Sequence, residues 1–110
     1  MTNISIHFDA LKQICPAATI LTEGGKALVL LPNMQVVSAG QILTMTLLLV
    51  PFEHTGYKTR LFFERKIDGR GSNWNQHRVV DKQWWAPSWQ GVPADLPWTA
   101  ILLEHLRCVA

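Results

Sequence analysis

The sequence predicts a single α+β domain spanning residues 1–110, with a helix at each end and an antiparallel sheet between them. Two observations carry this. Apolar residues recur at helical spacing near both termini, and the middle of the chain holds short apolar runs separated by Gly- and Pro-containing turns. No repeat, low-complexity tract or linker divides the chain.

From Thr2 to Cys15, the positions Ile4, Phe8, Leu11 and Ile14 describe one helical face, with Thr2 or Asn3 as cap and Pro16 as the stop. Ala18–Leu21 and Ala27–Leu31 flank Glu23-Gly24-Gly25 and read as a β-hairpin, since paired glycines supply the positive φ of a tight turn. Pro32 and Asn33 are expected to end the second strand. Ile42–Val50, the most hydrophobic run, reads as a buried central strand. Pro51 to Thr59 reads as a connection, and Arg60–Lys66 as a fourth strand, which makes a four-stranded antiparallel meander. Residues Asp68 to Pro93 are rich in Gly, Asn, Ser and Pro and form a long Trp-rich loop, the kind of segment in which function is sought. Trp98, Ile101, Leu102, His105, Leu106 and Val109 then fall at helical spacing behind Asp95 as cap and Pro97 near the first turn, predicting a helix of about twelve to fourteen residues.

Hydrophobic residues make up 48% of the chain and charged residues 16%, a globular composition. The net charge of +2 is spread over scattered Lys and Arg, giving little basis for phosphate-backbone binding. The apolar run from Ile42 to Phe52 is too short to span a bilayer, and Met1 to Cys15 lacks the basic start of an export signal. Two cysteines far apart, Cys15 and Cys108, suit a reducing compartment, so a cytoplasmic protein is expected. Small size leaves room for a homo-oligomer or a partner surface. Four of the five tryptophans, Trp74, Trp84, Trp85 and Trp89, lie in the predicted loop and need a core edge or a partner to cover them.

Several short motifs resemble ubiquitin-conjugating enzymes. Leu47-Leu48-Leu49-Val50-Pro51, Gly56-Tyr57 and Leu61-Phe62-Phe63 resemble the family's proline-ended strand, tyrosine turn and phenylalanine-bearing strand, and Trp85-Ala86-Pro87 looks like the Trp-x-Pro before its later helix. Glu23-Gly24-Gly25, Ala27 to Pro32, Trp74 to His77, Trp84-Trp85 and Thr99 to Leu106 are similar to a group of small prokaryotic domains of this kind. Those domains are encoded beside ubiquitin-like proteins, activating-enzyme relatives and deubiquitinase-like peptidases. The resemblance implies a UBC-like fold and a role in a bacterial ubiquitin-like conjugation or antiphage defence system. Its partners would be a ubiquitin-like protein or an activating-enzyme relative.

One departure decides the expected chemistry. Family members that form a thioester carry a cysteine between the fourth strand and the Trp-x-Pro segment, whereas no cysteine lies between Lys66 and Trp85 here. Tyr57 is followed by Lys58 instead of proline, and His77 by Arg78-Val79 instead of Pro-Asn. A thiolate attacks and leaves well, while imidazole and hydroxyl need an activating base. The expectation is therefore a noncatalytic, adaptor-like member. The alternatives are a transferase with an unusual nucleophile, Cys108 or His77, and, least favoured, a nucleic-acid-binding module.

Trp74, Asn75 and His77 are the candidate binding residues of the loop, since amide, indole and imidazole groups can hold a peptide terminus. The plainer alternative is that Asn residues build turns and Trp74 plugs the core. Trp84 and Trp89 are candidate partner contacts, with Trp85 expected beneath the second helix. Cys15 and Cys108 read as structural. Arg60, Arg65, Lys66 and Arg70 read as a mild basic rim, and His105 as a surface or boundary residue. No His-x-x-x-His spacing supports a metal, and Gly24-Gly25 lacks the continuation of a phosphate loop, so neither metal nor cofactor is expected.

Overall fold

The computed structural model describes residues 4–54 and 56–110. Helix α1 spans Ile4–Ile14; the expected caps Thr2 and Asn3 lie outside the described residues. The strands are β1 (Thr19–Glu23), β2 (Lys26–Ser38), β3 (Gln41–Val50), β4 (Arg60–Phe63), β5 (Asn75–Val79) and β6 (Lys82–Ala86), followed by α2 (Trp98–Leu106) and a 3-10 turn over Arg107–Val109. They form one antiparallel sheet in the order β1-β2-β3-β4-β6-β5. The domain is α+β as expected, but the sheet has six strands where four were read.

The first difference is β2, which does not stop at Pro32-Asn33. Leu31 pairs with Leu47 and Met34 with Met45, so two residues of β2 face one of β3 in a bulge. Proline has no N–H to give the ladder and is tolerated at such a point. Asn33 sits at φ 55°, a left-handed conformation that Asn adopts more readily than most residues. The extra residue also reverses the strand's parity: Val29 and Leu31 before it, and Met34 and Val36 after it, all pack in the same core. An uninterrupted strand would have turned one pair outward.

The second difference is the predicted loop, which contains the β5–β6 hairpin. Its turn residues Val80 and Asp81 have φ of 43° and 63°, close to a type I′ turn built without glycine. β6 joins β4 through the Phe63–Trp85 pair. The backbone N–H of Val80 donates to the Glu23 carboxylate, tying this hairpin tip to the β1–β2 tip at the far end of the strand order. The sheet is thus curled around one of its faces.

Two apolar clusters result. On one face α1 and α2 pack over Val29, Leu47, Leu49, Leu61 and Phe63. On the other, Leu28, Leu48, Val50 and Phe62 meet Val79, Trp84 and Ala86 from the hairpin. Helix α1 buries Leu11 fully and Phe8 partly, leaving Ile4 and Ile14 of the predicted stripe exposed. Asp95 does not cap α2: Pro97 occupies the cap position with no side-chain cap bond. Instead the Trp98 N–H, a donor the helix itself leaves unused, points to Nδ1 of His7 at 3.4 Å, and the two rings stack at 5.2 Å.

Trp84 is 1% exposed and its indole N–H donates to the Val79 carbonyl at 3.1 Å, so it is core and offers no surface to a partner. Strand alternation places Trp84 in the curled face and turns Trp85, half-buried, to the helix-covered one, where it pairs with Phe63. Trp84→Ala is expected to cost about 3–5 kcal/mol by urea unfolding, the range for truncating a buried aromatic. Trp89→Ala, at 37% exposure, is expected to cost less than about 1 kcal/mol.

Candidate functional site

The curled face carries a cluster of chemically capable side chains around the ring of Phe62. His77 is the cross-strand partner of Trp84, which places its side chain on this face. Its ring lies 5.4 Å from Phe62, edge-on. His54, from the connection between β3 and β4, lies 5.3 Å from Phe62 and 6.4 Å from His77. Arg60 opens β4 and sets its guanidinium 5.5 Å from the Phe62 ring and 3.9 Å from that of Tyr57, within cation–π range of both. It also donates to the Pro87 carbonyl at 3.2 Å. The Tyr57 hydroxyl donates to Ser88 Oγ at 3.3 Å. Arg60 was read as part of a surface rim. It is 4% exposed, because the aromatic walls and the Pro87 carbonyl give a buried guanidinium the partners that scattered surface charge would not need.

The electrostatics follow from this convergence. Burial lowers the His54 and His77 pKa values, and the Arg60 charge lowers both further. His54 adds to the depression at His77, while Glu23 works in the opposite sense on His54. Arg60 is itself lowered by desolvation. Both imidazoles are thus held toward the neutral form, by burial first and by positive charge close by second.

Behind this cluster a buried hydrogen-bonded chain joins three segments. The Thr59 hydroxyl donates to the Val92 carbonyl at 2.9 Å and lies 2.8 Å from Nε2 of His105. A hydroxyl has one proton, so Thr59 accepts from His105, which is neutral and carries its proton on Nε2. His105 was expected near the surface. It is 4% exposed, because its position on α2 faces β4, and the Thr59 oxygen satisfies its ring.

The remaining candidates divide. Trp74 caps the helix-side core, edge-on to Phe63 at 5.3 Å, with its N–H donated to the Arg70 carbonyl at 2.8 Å. Asn75 is exposed and donates to the Asn73 carbonyl at 2.9 Å, a local turn contact. Neither meets the Phe62 cluster, so of Trp74, Asn75 and His77 only His77 joins it. Trp89 is tethered to α2 through its N–H and the Glu104 carbonyl at 3.2 Å. Cys108 is half-buried in the closing 3-10 turn, where burial pushes its thiol up to about 11. Cys15 is buried with its thiol 3.4 Å from the Pro32 carbonyl and is likewise raised by burial. Neither has the lowered pKa of a nucleophilic cysteine.

Sequence reasoning did not bring His54, Arg60 and Tyr57 together with His77; Arg60 was read only as rim. Gly56-Tyr57 drew attention only as a turn, and nothing in local spacing brings position 54 beside position 77. A recess of about 520 Å³ between the end of α1 and the β2 bulge is lined by Cys15, Pro32 and Met34 among others, with no charged side chain, and has less to offer chemically. No group of three or more metal-ligating side chains occurs among the described residues. No helix there is long and apolar enough to cross a membrane.

A stability test follows from His105, whose pKa is lowered to about 4 by burial first and by Arg60 second. The unfolded chain takes up a proton near the ordinary value of 6.5 while the folded one resists until about 4, so stability is full above 6.5 and is lost as pH falls between the two. By about pH 5 the loss attributable to this residue is expected to be roughly 2 kcal/mol. Urea midpoints measured across this range should fall less steeply for His105→Gln than for the parent chain.

No family model matches the chain, and no match to it was found among curated proteins or solved structures.

Proposed function

We propose that this chain is a small ubiquitin-conjugating-enzyme-like domain acting without a thioester, as a cytoplasmic adaptor that binds a ubiquitin-like protein or its activating enzyme in a bacterial conjugation or defence system. The proposal rests on the motif resemblance together with one structural observation. The segment where the resembling family carries its cysteine folds here into the β5–β6 hairpin, with β5 at one edge of the sheet. An edge strand can pair with an extended peptide, adding affinity through main-chain hydrogen bonds. The extended tail of a ubiquitin-like protein has the right form for this.

The thiols argue in the same direction. With its pKa near 11, Cys108 is ionised only to about one part in ten thousand at neutral pH, and no depressed thiol supplies an attacking group. His77 as nucleophile would need a base to activate it, and the charges acting on it are those of Arg60 and His54.

The test is a non-reducing gel of the chain with its candidate activating enzyme, ubiquitin-like protein and ATP, run beside Cys15→Ser, Cys108→Ser and His77→Ala, with gel filtration of the same mixture. A noncovalent complex without a shifted band is the expected result. A band removed by thiol reagent and abolished by one cysteine variant would replace the adaptor with an active transferase.

A further inference from the structure

The β2–β3 hairpin runs past its neighbours. β1 pairs with β2 no further than Leu30, and β4 with β3 no further than Leu47, so residues 34–38 and 41–45 form a two-stranded ribbon with both edges open. The turn residues Ala39 and Gly40 have φ of 51° and 78°. In such a two-residue turn Ser38 and Gln41 close the ladder as a hydrogen-bonded pair, and bonded and non-bonded pairs alternate behind them. Met34 and Val36 therefore bond to β3. The N–H and C=O groups of Gln35 and Val37 point the other way, and among the described residues they have no backbone partner.

We propose that this β2 edge is the interface of a twofold dimer, in which residues 34–38 of two copies pair antiparallel and continue one sheet into the other. The contact uses the β2 side of the sheet and leaves β5 untouched.

Charge selects the edge and the occupant. The β3 edge is guarded: the Thr44 carbonyl accepts from Arg65 at 3.4 Å, the Thr46 N–H donates to Glu64 at 2.7 Å, and Lys66 and Asp68 stand beside Gln41 and Leu43. Charged side chains of this kind keep an edge from pairing. The β2 edge has no such guard. No charged residue lies between Lys26 and Glu53, and none lines the recess beside this edge. Near a twofold axis each side chain meets its own kind, so a charged edge repels its copy and an uncharged one does not.

The open donors and acceptors set the register. With Gln35 opposite Val37 of the second copy, the outward N–H and C=O groups of both residues are used in each molecule. The axis then stands perpendicular to the sheet and preserves its faces. Val37 and Ile42, a cross-strand pair exposed at 57% and 65%, join their copies in one apolar row. Ser38 of the second copy falls opposite Met34, which brings its Ala39-Gly40 turn beside Pro32 and Asn33. These residues line the recess of about 520 Å³, with exposed Ile14 on the same wall. A five-residue strand pair buries less than about 1,200 Å², the size of a transient contact, so half-association is expected on the order of 100 μM.

Analytical ultracentrifugation under reducing conditions, from about 5 to about 500 μM, tests this. The 12.4 kDa chain should move toward twice its mass and no further. Amide exchange at Gln35 and Val37 should slow by roughly fourfold at the highest concentration, the inverse of the monomer fraction there, while Met34 and Val36 keep their rates. Val37→Lys sets like charges at the axis, and Gln35→Pro removes an outward N–H without touching the β3 ladder. Each should weaken association by more than about tenfold, with the far-ultraviolet circular dichroism of Val37→Lys unchanged. Leu103→Thr, at an exposed apolar position of α2, should associate as the parent does. A constant monomer mass, growth beyond the dimer, or association that survives Val37→Lys or Gln35→Pro would each overturn the proposal. So would a chain that stays monomeric and gains protection at Gln35 and Val37 only when an unrelated Thr-Val peptide is added, which would assign the edge to a foreign strand.

Discussion

The architecture follows from the need to cover a central sheet that is apolar on both sides. Leu47 and Leu49 point to one face of β3, Leu48 and Val50 to the other, and all four are fully buried. Strand alternation makes this unavoidable once the run is continuous in leucine and valine. Two helices cover one face, and the described residues hold no third α-helix to place on the other. The sheet covers that face itself, by curling until the β5–β6 hairpin lies over Leu48 and Phe62, and the Val80–Glu23 contact joins the two hairpin tips.

That solution determines where polar groups go. Curling brings His77 to Phe62 and buries Trp84, while Arg60 and Thr59, at the start of β4, become interior. Thr59, Arg60 and His105 each have a hydrogen-bond partner from far along the chain. Thr59 finds Val92 and His105, Arg60 finds Pro87 and the Tyr57 ring, and no buried side-chain polar atom among the described residues lacks a hydrogen bond. The cover is also incomplete. Toward the β2–β3 turn the curled side leaves Val37 and Ile42, directly paired across the hairpin, exposed at 57% and 65%.

The reactive groups are divided between two places in the fold. The thiols sit at the ends of α1 and α2, away from the hairpin in the chain and held protonated by burial. The groups that gather at the hairpin's inner face are imidazoles and a guanidinium.

Much of the fold was legible in the chain. The helical spacing of Leu11 and Phe8, and of Trp98, Ile101 and Leu102, placed both helices, since one buried stripe leaves a clear period. Gly24-Gly25 marked the first hairpin because its residues need positive φ, at 61° and 78°. The β5–β6 hairpin was not legible. Its strands are mostly polar, their buried positions are only Val79, Trp84 and Ala86, and its turn uses Val80-Asp81 where a sequence reader looks for Asn-Gly. The β2 bulge was hidden behind Pro32, which reads as a terminator unless the partner strand is known to skip a residue.

Of the site, His77 was readable and its neighbours were not. Composition and spacing by themselves determined an α+β domain with two terminal helices, a hydrophobic central strand and no cysteine between Lys66 and Trp85. Only the tertiary structure decided that Arg60 and His105 are interior, that Trp84 is core, and that His54 stands beside His77. These depend on which strands pair and how far the sheet curls. Those are choices made by contacts between distant residues, and a local pattern of apolar and polar residues carries no record of them.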